Sequence, residues 1–330
     1  MKILIVLTLL GLACARGVPK YAFVEEWQLW KSSHERDYTT DREELEKHLV
    51  WLSNREYIQQ HNANSEIFGF TLAMNHYGDM TDMEYMEKFA TYKRTKHTNS
   101  KEYKPVKGDD TSGYPVSMDW RTKGAVTSVK SQGDCGASYA FSTIGAVEGA
   151  WALAHGKQVA LSVQNIVDCS VSYGNHGCQG GNMYDTYMYI LANEGVATQD
   201  KYPFYGRQGQ CKYDSSLYGA KISGSVTISS GNEANLQAAV ASTGPVAVAV
   251  DGSNKAFRYY NSGVYNLPGC SSYSLDTALL IIGYGTVNDV DYWLLKNSWG
   301  TNWGMSGYIM MSRNKYNQCG IATDASFPTL

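Results

Sequence analysis

The sequence lacks a strong charge of either sign, because 28 lysine and arginine residues nearly balance 31 acidic ones and leave a formal net charge of -3. That balance gives no electrostatic basis for nucleic acid or an anionic membrane as the main partner. Beyond the N-terminus the chain also lacks a long apolar run, so we expect no membrane-spanning helix. It has no C-x-x-C pair and no cluster of histidines, which argues against a zinc site. We therefore expect neither a metal nor a cofactor.

The first fifteen residues have the form of a secretory signal peptide. A basic start at Lys2 precedes an apolar run from Ile3 to Leu12, and small residues follow at positions 13–15. We expect segment 1–15 to be removed and the product to be soluble in the secretory pathway. Six cysteines remain once Cys14 is lost, and an even number in an oxidising compartment indicates disulfides. Six cysteines allow fifteen pairings, which the residues alone leave open.

Residues 20–104 are charged and aromatic, with a helical rhythm. Apolar residues recur at roughly helical spacing at Leu45, Leu49, Leu52 and Ile58. This spacing predicts an amphipathic helix whose apolar stripe contains those residues. A polar segment rich in Lys, Ser and Thr follows from about Tyr92 to Gly113, and its composition is typical of an exposed linker that proteases cut.

The stretch Gln132–Phe141 reads Gln-Gly-Asp-Cys-Gly-Ala-Ser-Tyr-Ala-Phe. It resembles the nucleophile segment of papain-type cysteine proteases, in which a glutamine precedes a C-G-[SA]-C-[WY] signature that opens a helix. The resemblance implies that Gln132 supplies the oxyanion donor and that Ser138 stands where the family has its cysteine nucleophile. A serine hydroxyl has a pKa far above that of a thiol, so a helix dipole cannot ionise it and it needs a base.

Two motifs of cathepsin L-type propeptides precede this stretch. The interrupted helical motif of that family is matched in spacing by Glu43, Lys47, Trp51, Asn54, Ile58 and Asn62. Residues 73–79 resemble the short motif that follows it, with alanine for its glycine and tyrosine for its phenylalanine. Residues 114–121 are similar to the start of the mature enzymes. The resemblance implies an inhibitory propeptide and linker over 16–113, which lies across the cleft and blocks it, and a mature domain over 114–330.

Beyond residue 113, helical patterns precede strand patterns. Helical spacing prevails from Ser138 to about Gly195, and β-rich runs such as 247–250 and 292–295 alternate with turns from about Ala220 onward. Helices followed by strands predict an α+β chain with two packed lobes. The family resemblance adds a papain-like fold, with a helical left lobe, a β-barrel-like right lobe and a cleft between them.

The histidine of the family's right lobe, which serves as base and acid, has no counterpart here. The segment Cys270–Gly285 resembles the one that carries it, and the aligned residue is Thr277. Threonine cannot accept a proton at neutral pH as imidazole does. Asn297, within Lys-Asn-Ser-Trp-Gly, matches the asparagine that orients the histidine, and Trp299 matches the tryptophan that covers it. With no imidazole to orient, we expect Asn297 to hydrogen-bond Thr277 or Ser138.

Replacement bases are few. After residue 113 only His155 and His176 remain, and the resemblance assigns both to surface loops, so we expect neither to be catalytic. Asp276 lies beside Thr277, but neighbouring side chains on an extended strand point to opposite faces. We therefore expect Asp276 to be a poor base.

By the same resemblance, the substrate cleft is lined by Gly180, Gly181, Met183, Asp276 and Trp299. The catalytic positions are Ser138, Thr277, Asn297 and Gln132. By analogy with the family the cysteines pair as Cys135–Cys178, Cys169–Cys211 and Cys270–Cys319. This pairing leaves no free thiol to replace the missing nucleophile.

Within the papain family, serine at position 138 resembles the silicatein branch, sponge proteins of the axial filaments of siliceous spicules. Three further stretches agree with that branch, at 61–65, 173–178 and 313–320. The resemblance implies silica, silicic acid or silicon alkoxides as partners and self-association into filaments. It also implies an extracellular location, a silica-depositing vesicle or a lysosome-like compartment. Candidate silica-binding hydroxyls cluster at Ser271, Ser272, Tyr273 and Ser274.

Three hypotheses of function remain. The leading one is a template and filament subunit for silica deposition with weak or absent hydrolase activity, because Ser138 lacks its histidine. A second is an active hydrolase of silicon alkoxides or of peptide and ester bonds, which uses Ser138 with water or Asp276 as base. A third is a non-catalytic peptide binder whose cleft holds the propeptide or a partner.

Overall fold

The computed structural model describes residues 23–95, 101–105 and 111–330. The predicted signal peptide and parts of the polar segment before residue 114 lie outside these residues. Within the described ranges, no helix combines the length and the apolar character needed to cross a membrane.

Along the chain, an N-terminal helical part is followed by a second helical part and then by a run of strands. The α-helices of the described residues are α1 (Val24–Ser33), α2 (Asp41–Asn62), α3 (Ser65–Phe68), α4 (Asp82–Phe89), α5 (Ser138–His155), α6 (Val163–Cys169), α7 (Met183–Ala192), α8 (Glu233–Thr243) and α9 (Lys255–Arg258). The β-strands there are β1 (Phe70–Leu72), β2 (Lys101–Glu102), β3 (Met118–Asp119), β4 (Val196–Ala197), β5 (Tyr218–Ala220), β6 (Gly224–Thr227), β7 (Val246–Val250), β8 (Tyr260–Tyr265), β9 (Thr277–Val287), β10 (Val290–Lys296), β11 (Tyr308–Ser312) and β12 (Asp324–Thr329). The predicted α+β class is confirmed.

The helices of the N-terminal part, the predicted propeptide, begin at well-defined caps. The Thr40 hydroxyl accepts a hydrogen bond from the Glu43 N–H at the start of α2. At the start of α4, Thr81 and Glu84 satisfy each other's backbone N–H groups in a capping box. Such caps satisfy amides that have no partner inside the helix, and loss of one typically costs about 1 kcal/mol.

The predicted apolar stripe of α2 is wrong at Leu49, whose side chain is 47% exposed. Trp51 and Asn54 face the interior instead. The Asn54 side-chain amide donates to the carbonyls of Gly78 and Met80 at 2.8 and 3.1 Å. An aromatic ring and a hydrogen-bonded amide therefore hold the helix to the segment that follows it. A search for periodic apolar residues does not detect either of these side chains.

The segment predicted to be the propeptide adds strands to the sheet of the right lobe. In the described residues a ten-stranded sheet has the order β1-β8-β11-β10-β9-β7-β12-β6-β2, with β3 paired to β9. Its outer strands β1 and β2 both precede residue 114; β1 pairs antiparallel with β8, and β2 pairs parallel with β6. The predicted propeptide thus covers sheet edges that would otherwise present unpaired backbone groups to solvent.

Helix α5 joins the two lobes. It packs against α6 and α7 on one side and against β7 and β9 on the other. It approaches β9 closely because Gly145 has no side chain, since a Cβ there would lie 2.7 Å from Leu280 Cδ2. This packing sets Ser138, the first residue of α5, opposite Thr277, the first residue of β9.

Disulfides fix the loops around both lobes. Within the described residues they join Cys135 to Cys178, Cys169 to Cys211, and Cys270 to Cys319. These are the pairs that the family resemblance implies. Loss of such a bridge typically costs about 2–5 kcal/mol in a small secreted domain.

Candidate active site

Ser138 lies at the N-terminus of α5 and is 1% exposed. The segment before it is held by the Cys135–Cys178 disulfide and by the Gly136 N–H, which donates to the Cys178 carbonyl at 2.9 Å. A Cβ on Gly136 would lie 2.6 Å from that carbonyl oxygen, so only glycine fits. The hydroxyl is therefore fixed at the positive end of a helix dipole, which favours an anion but cannot ionise an alcohol.

Gln132 is buried beside this helix terminus and is held at both ends of its side chain. Its oxygen accepts a hydrogen bond from the Ser298 hydroxyl at 2.6 Å, and its nitrogen donates to the Cys135 carbonyl at 2.8 Å. A side-chain amide has two N–H groups, so one is left to donate to a developing oxyanion. Gln132 thus has a suitable donor for an oxyanion, and its oxyanion role stays a prediction.

The start of β9 faces Ser138. The Ala278 N–H donates to Ser138 Oγ at 3.2 Å, so the serine oxygen is an acceptor in this contact. Thr277 is 1% exposed and donates its hydroxyl to Asp276 Oδ1 at 2.9 Å. The expectation that these two side chains point to opposite faces is wrong, because Asp276 precedes the strand and does not follow its alternation.

One oxygen of the Asp276 carboxyl, Oδ1, is occupied by the hydrogen bond from Thr277. Its Oδ1 also accepts a hydrogen bond from the Gly252 N–H at 2.8 Å. Burial raises the pKa of Asp276 from 3.8 to about 6. A carboxyl with that pKa can exchange a proton near neutral pH, yet in the described residues no hydrogen bond joins it to Ser138.

Asn297 does not make the hydrogen bonds that we expected. Its side-chain oxygen accepts from the Ser298 N–H at 2.7 Å, and its buried Nδ2 has no partner in the described part of the chain. The expected bond to Thr277 or Ser138 is therefore wrong. Trp299 is 2% exposed, and its Nε1 is likewise without a partner there. A buried donor without an acceptor costs free energy. The site therefore contains two donors, on Asn297 and Trp299, that no hydrogen bond among the described residues satisfies.

Neither of the two histidines beyond residue 113 hydrogen-bonds Ser138 in the described residues, and His155 ends helix α5 instead of lying in the predicted loop. His155 stacks on Trp151 with ring centroids 3.9 Å apart and hydrogen-bonds the Trp151 carbonyl at 3.0 Å. His176 is exposed to solvent. That neither histidine is catalytic stays a prediction.

The propeptide fills the cleft with an extended segment, residues 91–93. The Lys93 N–H donates to the Gly181 carbonyl at 2.8 Å. Gly180 admits the segment because a Cβ there would lie 1.9 Å from the Thr91 carbonyl oxygen. The predicted cleft glycines therefore line the groove in which the propeptide lies.

Tyr92 enters a buried subsite that sequence reasoning missed. It is 6% exposed, its N–H donates to the Asp276 carbonyl at 2.9 Å, and its hydroxyl donates to Asp324 Oδ2 at 2.7 Å. The backbone of Met183, a predicted cleft residue, lies beside the same phenol. Arg94 Nε lies 3.9 Å from the Asp324 carboxylate. Burial raises the pKa of Tyr92 far above its ordinary value, so the phenol stays a donor.

The predicted hydroxyl cluster is only partly open to solvent. The Ser271 hydroxyl oxygen accepts hydrogen bonds from the N–H groups of Tyr273 and Ser274 at 3.1 and 2.9 Å. Ser271 and Ser272 are half-buried, whereas Tyr273 is 80% exposed and Ser274 is exposed. Tyr273 and Ser274 therefore offer the most accessible hydroxyls of the cluster.

The chemistry of the cleft follows from these parts. It holds a serine at a helix N-terminus, an amide suited to an oxyanion and a groove that binds extended backbone. In residues 23–95, 101–105 and 111–330, no set of three or more His, Cys, Asp or Glu side chains is arranged to hold a metal ion. These parts suit an acyl group, but Ser138 has no base bonded to it among these residues.

A helical lobe and a sheet lobe that meet at a helix-terminal serine, with an N-terminal segment lying in the cleft, define the proform of a two-lobe peptidase fold. Residues 114–329 match the family described as papain family cysteine protease, and residues 27–85 match the cathepsin propeptide inhibitor domain (I29). The chain belongs to the papain family. Its propeptide and disulfides are typical of secreted or lysosomal cathepsin-like proteins.

Relatives of known name agree with this family. The chain is 48% identical to silicatein of Petrosia ficiformis, over 97% of this chain and 96% of that protein. It is 41% identical to procathepsin L of Mus musculus, with 100% of both chains covered. The solved structure of digestive procathepsin L 3 of Tenebrio molitor larval midgut has a TM-score of 0.86 and 40% identity, over 94% of this chain and 99% of that one. The predicted resemblance to silicatein and the predicted papain-like fold with a propeptide are confirmed.

Proposed function

We propose that the mature chain takes part in silica deposition as a template and filament subunit, with weak or absent hydrolase activity. The likeness to a protein named silicatein supports the first part, and the surroundings of Ser138 support the second. The observation that carries the proposal is the hydrogen bonding of Ser138: within the described residues its oxygen accepts from Ala278 N–H and its proton meets no base.

A serine without a base is a weak nucleophile. The hydroxyl stays protonated at neutral pH, and removal of the base from a serine–histidine unit costs on the order of 10^6-fold in rate in a well-studied serine protease. Asp276 is the nearby carboxyl, but its Oδ1 is held by Thr277 and Gly252. Any residual rate rests on Gln132 and the helix terminus.

Template activity rests on exposed hydroxyls held in fixed positions. Silicic acid is a neutral molecule whose hydroxyl groups both donate and accept hydrogen bonds, as do the side chains of Tyr273 and Ser274. The segment that carries them follows Cys270, which is bonded to Cys319. A hydroxyl surface of this kind holds several silicic acid molecules side by side, which favours their condensation.

Self-association has a candidate surface beneath the propeptide. Tyr77, Tyr85 and Phe89 of the propeptide pack edge-on against Trp299, with ring centroids 5.3 to 5.9 Å apart. Their removal uncovers aromatic rings on the right lobe, and exposed apolar patches of this kind favour association. Filament growth in this proposal therefore follows release of the propeptide.

The test compares the released mature chain with an inert protein of equal net charge. Full-length protein carrying a specific protease site after Gly113 is cleaved with added protease. The amount of silica formed from silicic acid and the size of the protein assemblies are then measured. We expect both to rise after cleavage, and Ser138→Ala to behave as wild type. A cleaved chain that neither assembles nor raises the silica yield would sink the proposal.

An active hydrolase is the second candidate, favoured by Ser138 at a helix N-terminus beside Gln132. It uses water or Asp276 as the base. It predicts turnover of a silicon alkoxide or a peptide ester that falls in Ser138→Ala.

A peptide-binding role is the third candidate, favoured by the backbone hydrogen bonds between residues 91–93 and the cleft. It predicts that the propeptide stays bound after the linker is cut. It also predicts that neither silica formation nor ester turnover accompanies that binding.

A further inference from the structure

Two cations of the mature domain, Lys255 and Arg258, meet the propeptide from the short helix α9. They are the first and last residues of this four-residue helix, so their side chains lie on the same side of it. Arg258 is 1% exposed, and Lys255 is half-buried. Both cations pair with one anion, the carboxylate of Asp82 at the start of α4. Lys255 Nζ lies 3.6 Å from Asp82 Oδ1, and the Arg258 guanidinium hydrogen-bonds the same oxygen.

The other acceptors of these groups also belong to the propeptide. Arg258 Nη1 donates to the carbonyls of Met80 and Thr81 at 3.1 and 3.2 Å. Arg258 Nε has no partner in the described part of the chain. The neighbouring Tyr259 hydroxyl donates to the Tyr77 carbonyl at 2.9 Å. Departure of the propeptide therefore leaves a guanidinium, an ammonium and a phenol without these partners.

The mature domain fixes the base of this site, whereas the propeptide covers it. On the propeptide side, the Arg258 guanidinium lies 4.7 Å from the centroid of the Tyr85 ring. On the other side it lies 5.1 Å from the centroid of the Tyr259 ring. Trp303 Nε1 donates to the Arg258 carbonyl at 3.0 Å, which holds the backbone to the right lobe. Release of the propeptide removes the cover and leaves these contacts of the mature domain in place.

The uncovered groups suit an anion with several oxygens. A guanidinium presents its N–H donors in a planar fork that matches two oxygens of an anion, and an ammonium adds a compact positive charge. Among the described residues, Asp82 is the anion that pairs with both cations, and the ion pairs there include no carboxylate of the mature domain with either one. Condensing silicic acid forms oligomers with ionised silanol groups, which offer several oxygen anions with hydroxyl groups beside them.

We propose that the mature chain binds anionic silicate oligomers at Lys255, Arg258 and Tyr259, in the position that Asp82 and the adjacent carbonyls occupy in the proform. This inference rests on the proposed role in silica deposition and names a silica contact separate from the exposed hydroxyl cluster. Propeptide and silicate exclude each other at this position. By linkage, silicate that binds here weakens the binding of the propeptide, and bound propeptide keeps the site closed.

Cosedimentation with colloidal silica tests the site. Full-length protein with the protease site after Gly113 is cleaved, and the binding of the mature chain to the silica particles is measured at fixed pH and salt. Lys255→Gln combined with Arg258→Gln should weaken this binding on the order of 10-fold. The matched control, Lys157→Gln combined with Arg207→Gln, removes the same two charges from exposed positions and should bind as wild type.

Three further readouts separate the outcomes. Arg258→Lys keeps the charge but loses the planar fork, so it should bind silica less tightly than wild type. Lys255→Gln alone, at a half-buried position, tests the site if the double variant does not fold. Silicate oligomers added to the cleaved wild type should increase the fraction of released propeptide, whereas sodium chloride at equal ionic strength should not.

Binding at the wild-type level by the double variant, or by Lys255→Gln where the double variant does not fold, overturns the inference. If the wild type binds silica and these variants bind it equally well, the role in silica deposition stands and this site does not. If the cleaved wild type binds silica no better than an inert protein of equal net charge, both are overturned.

Discussion

Asp276→Asn should stabilise the folded protein at neutral pH and have little effect in acid. Burial raises the pKa of Asp276 from 3.8 to about 6, so the folded state favours the protonated carboxyl. The stability from this carboxyl is fully present below its unfolded pKa of 3.8 and is lost as the pH rises through about 6. At about 1.36 kcal/mol for each pKa unit, the loss amounts to at most about 3 kcal/mol. Asparagine does not titrate and keeps an acceptor oxygen for Gly252 and Thr277.

Urea unfolding of the full-length protein near pH 4 and near pH 7.5 measures this effect. The unfolding free energy of Asp276→Asn relative to wild type should rise by about 2–3 kcal/mol between the two conditions. Asp291→Asn is the control, and its effect on stability should change with pH in the opposite direction. The pKa of Asp291 is lowered, because burial, which raises it, is outweighed by hydrogen bonds from Thr286 and Asn314. An Asp276→Asn difference that is the same at both pH values would refute a carboxyl held protonated by burial.

Three further changes test the propeptide and the covalent frame. Tyr92→Phe loses the hydroxyl bonded to Asp324 and should weaken binding of the propeptide to the mature domain on the order of 10-fold by titration calorimetry, and equal affinity would contradict that bond. Asn54→Ala leaves two backbone carbonyls without their donor and should lower the unfolding free energy of the proform by about 1–3 kcal/mol in urea, where an unchanged midpoint would count against it. Cys270→Ser combined with Cys319→Ser should cost about 2–5 kcal/mol and lower the silica yield, because that bridge anchors the hydroxyl cluster. A loss of stability with full silica yield would separate the bridge from templating.

Much of the fold was predictable because its signals are local. The stretch at 132–141 opens α5, and the order of helical and strand patterns gives the two lobes. The stripe of α2 failed at Leu49 because apolar periodicity does not count Trp51 and Asn54, whose ring and hydrogen-bonded amide take the interior face.

The cleft was less predictable because its contacts join distant residues and depend on local backbone. Tyr92 and Asp324 are 232 positions apart, and neither belongs to a motif. A tyrosine followed by two basic residues, at the start of the segment that we predicted to be an exposed linker, was the available signal. The orientations of Asp276 and Asn297 depend on where β9 begins and on a bond to Ser298, which spacing alone does not specify.

The most direct measurement is the turnover of a peptide ester by the cleaved mature chain in four forms: wild type, Ser138→Ala, Thr277→His, and the last two changes combined. We predict that wild type and Ser138→Ala have equal rates. We also predict that Thr277→His gains about 10^2- to 10^4-fold, the usual contribution of a general base, and that the combined variant loses this gain. Wild-type turnover well above that of Ser138→Ala would contradict the central claim, since a base would then already serve Ser138.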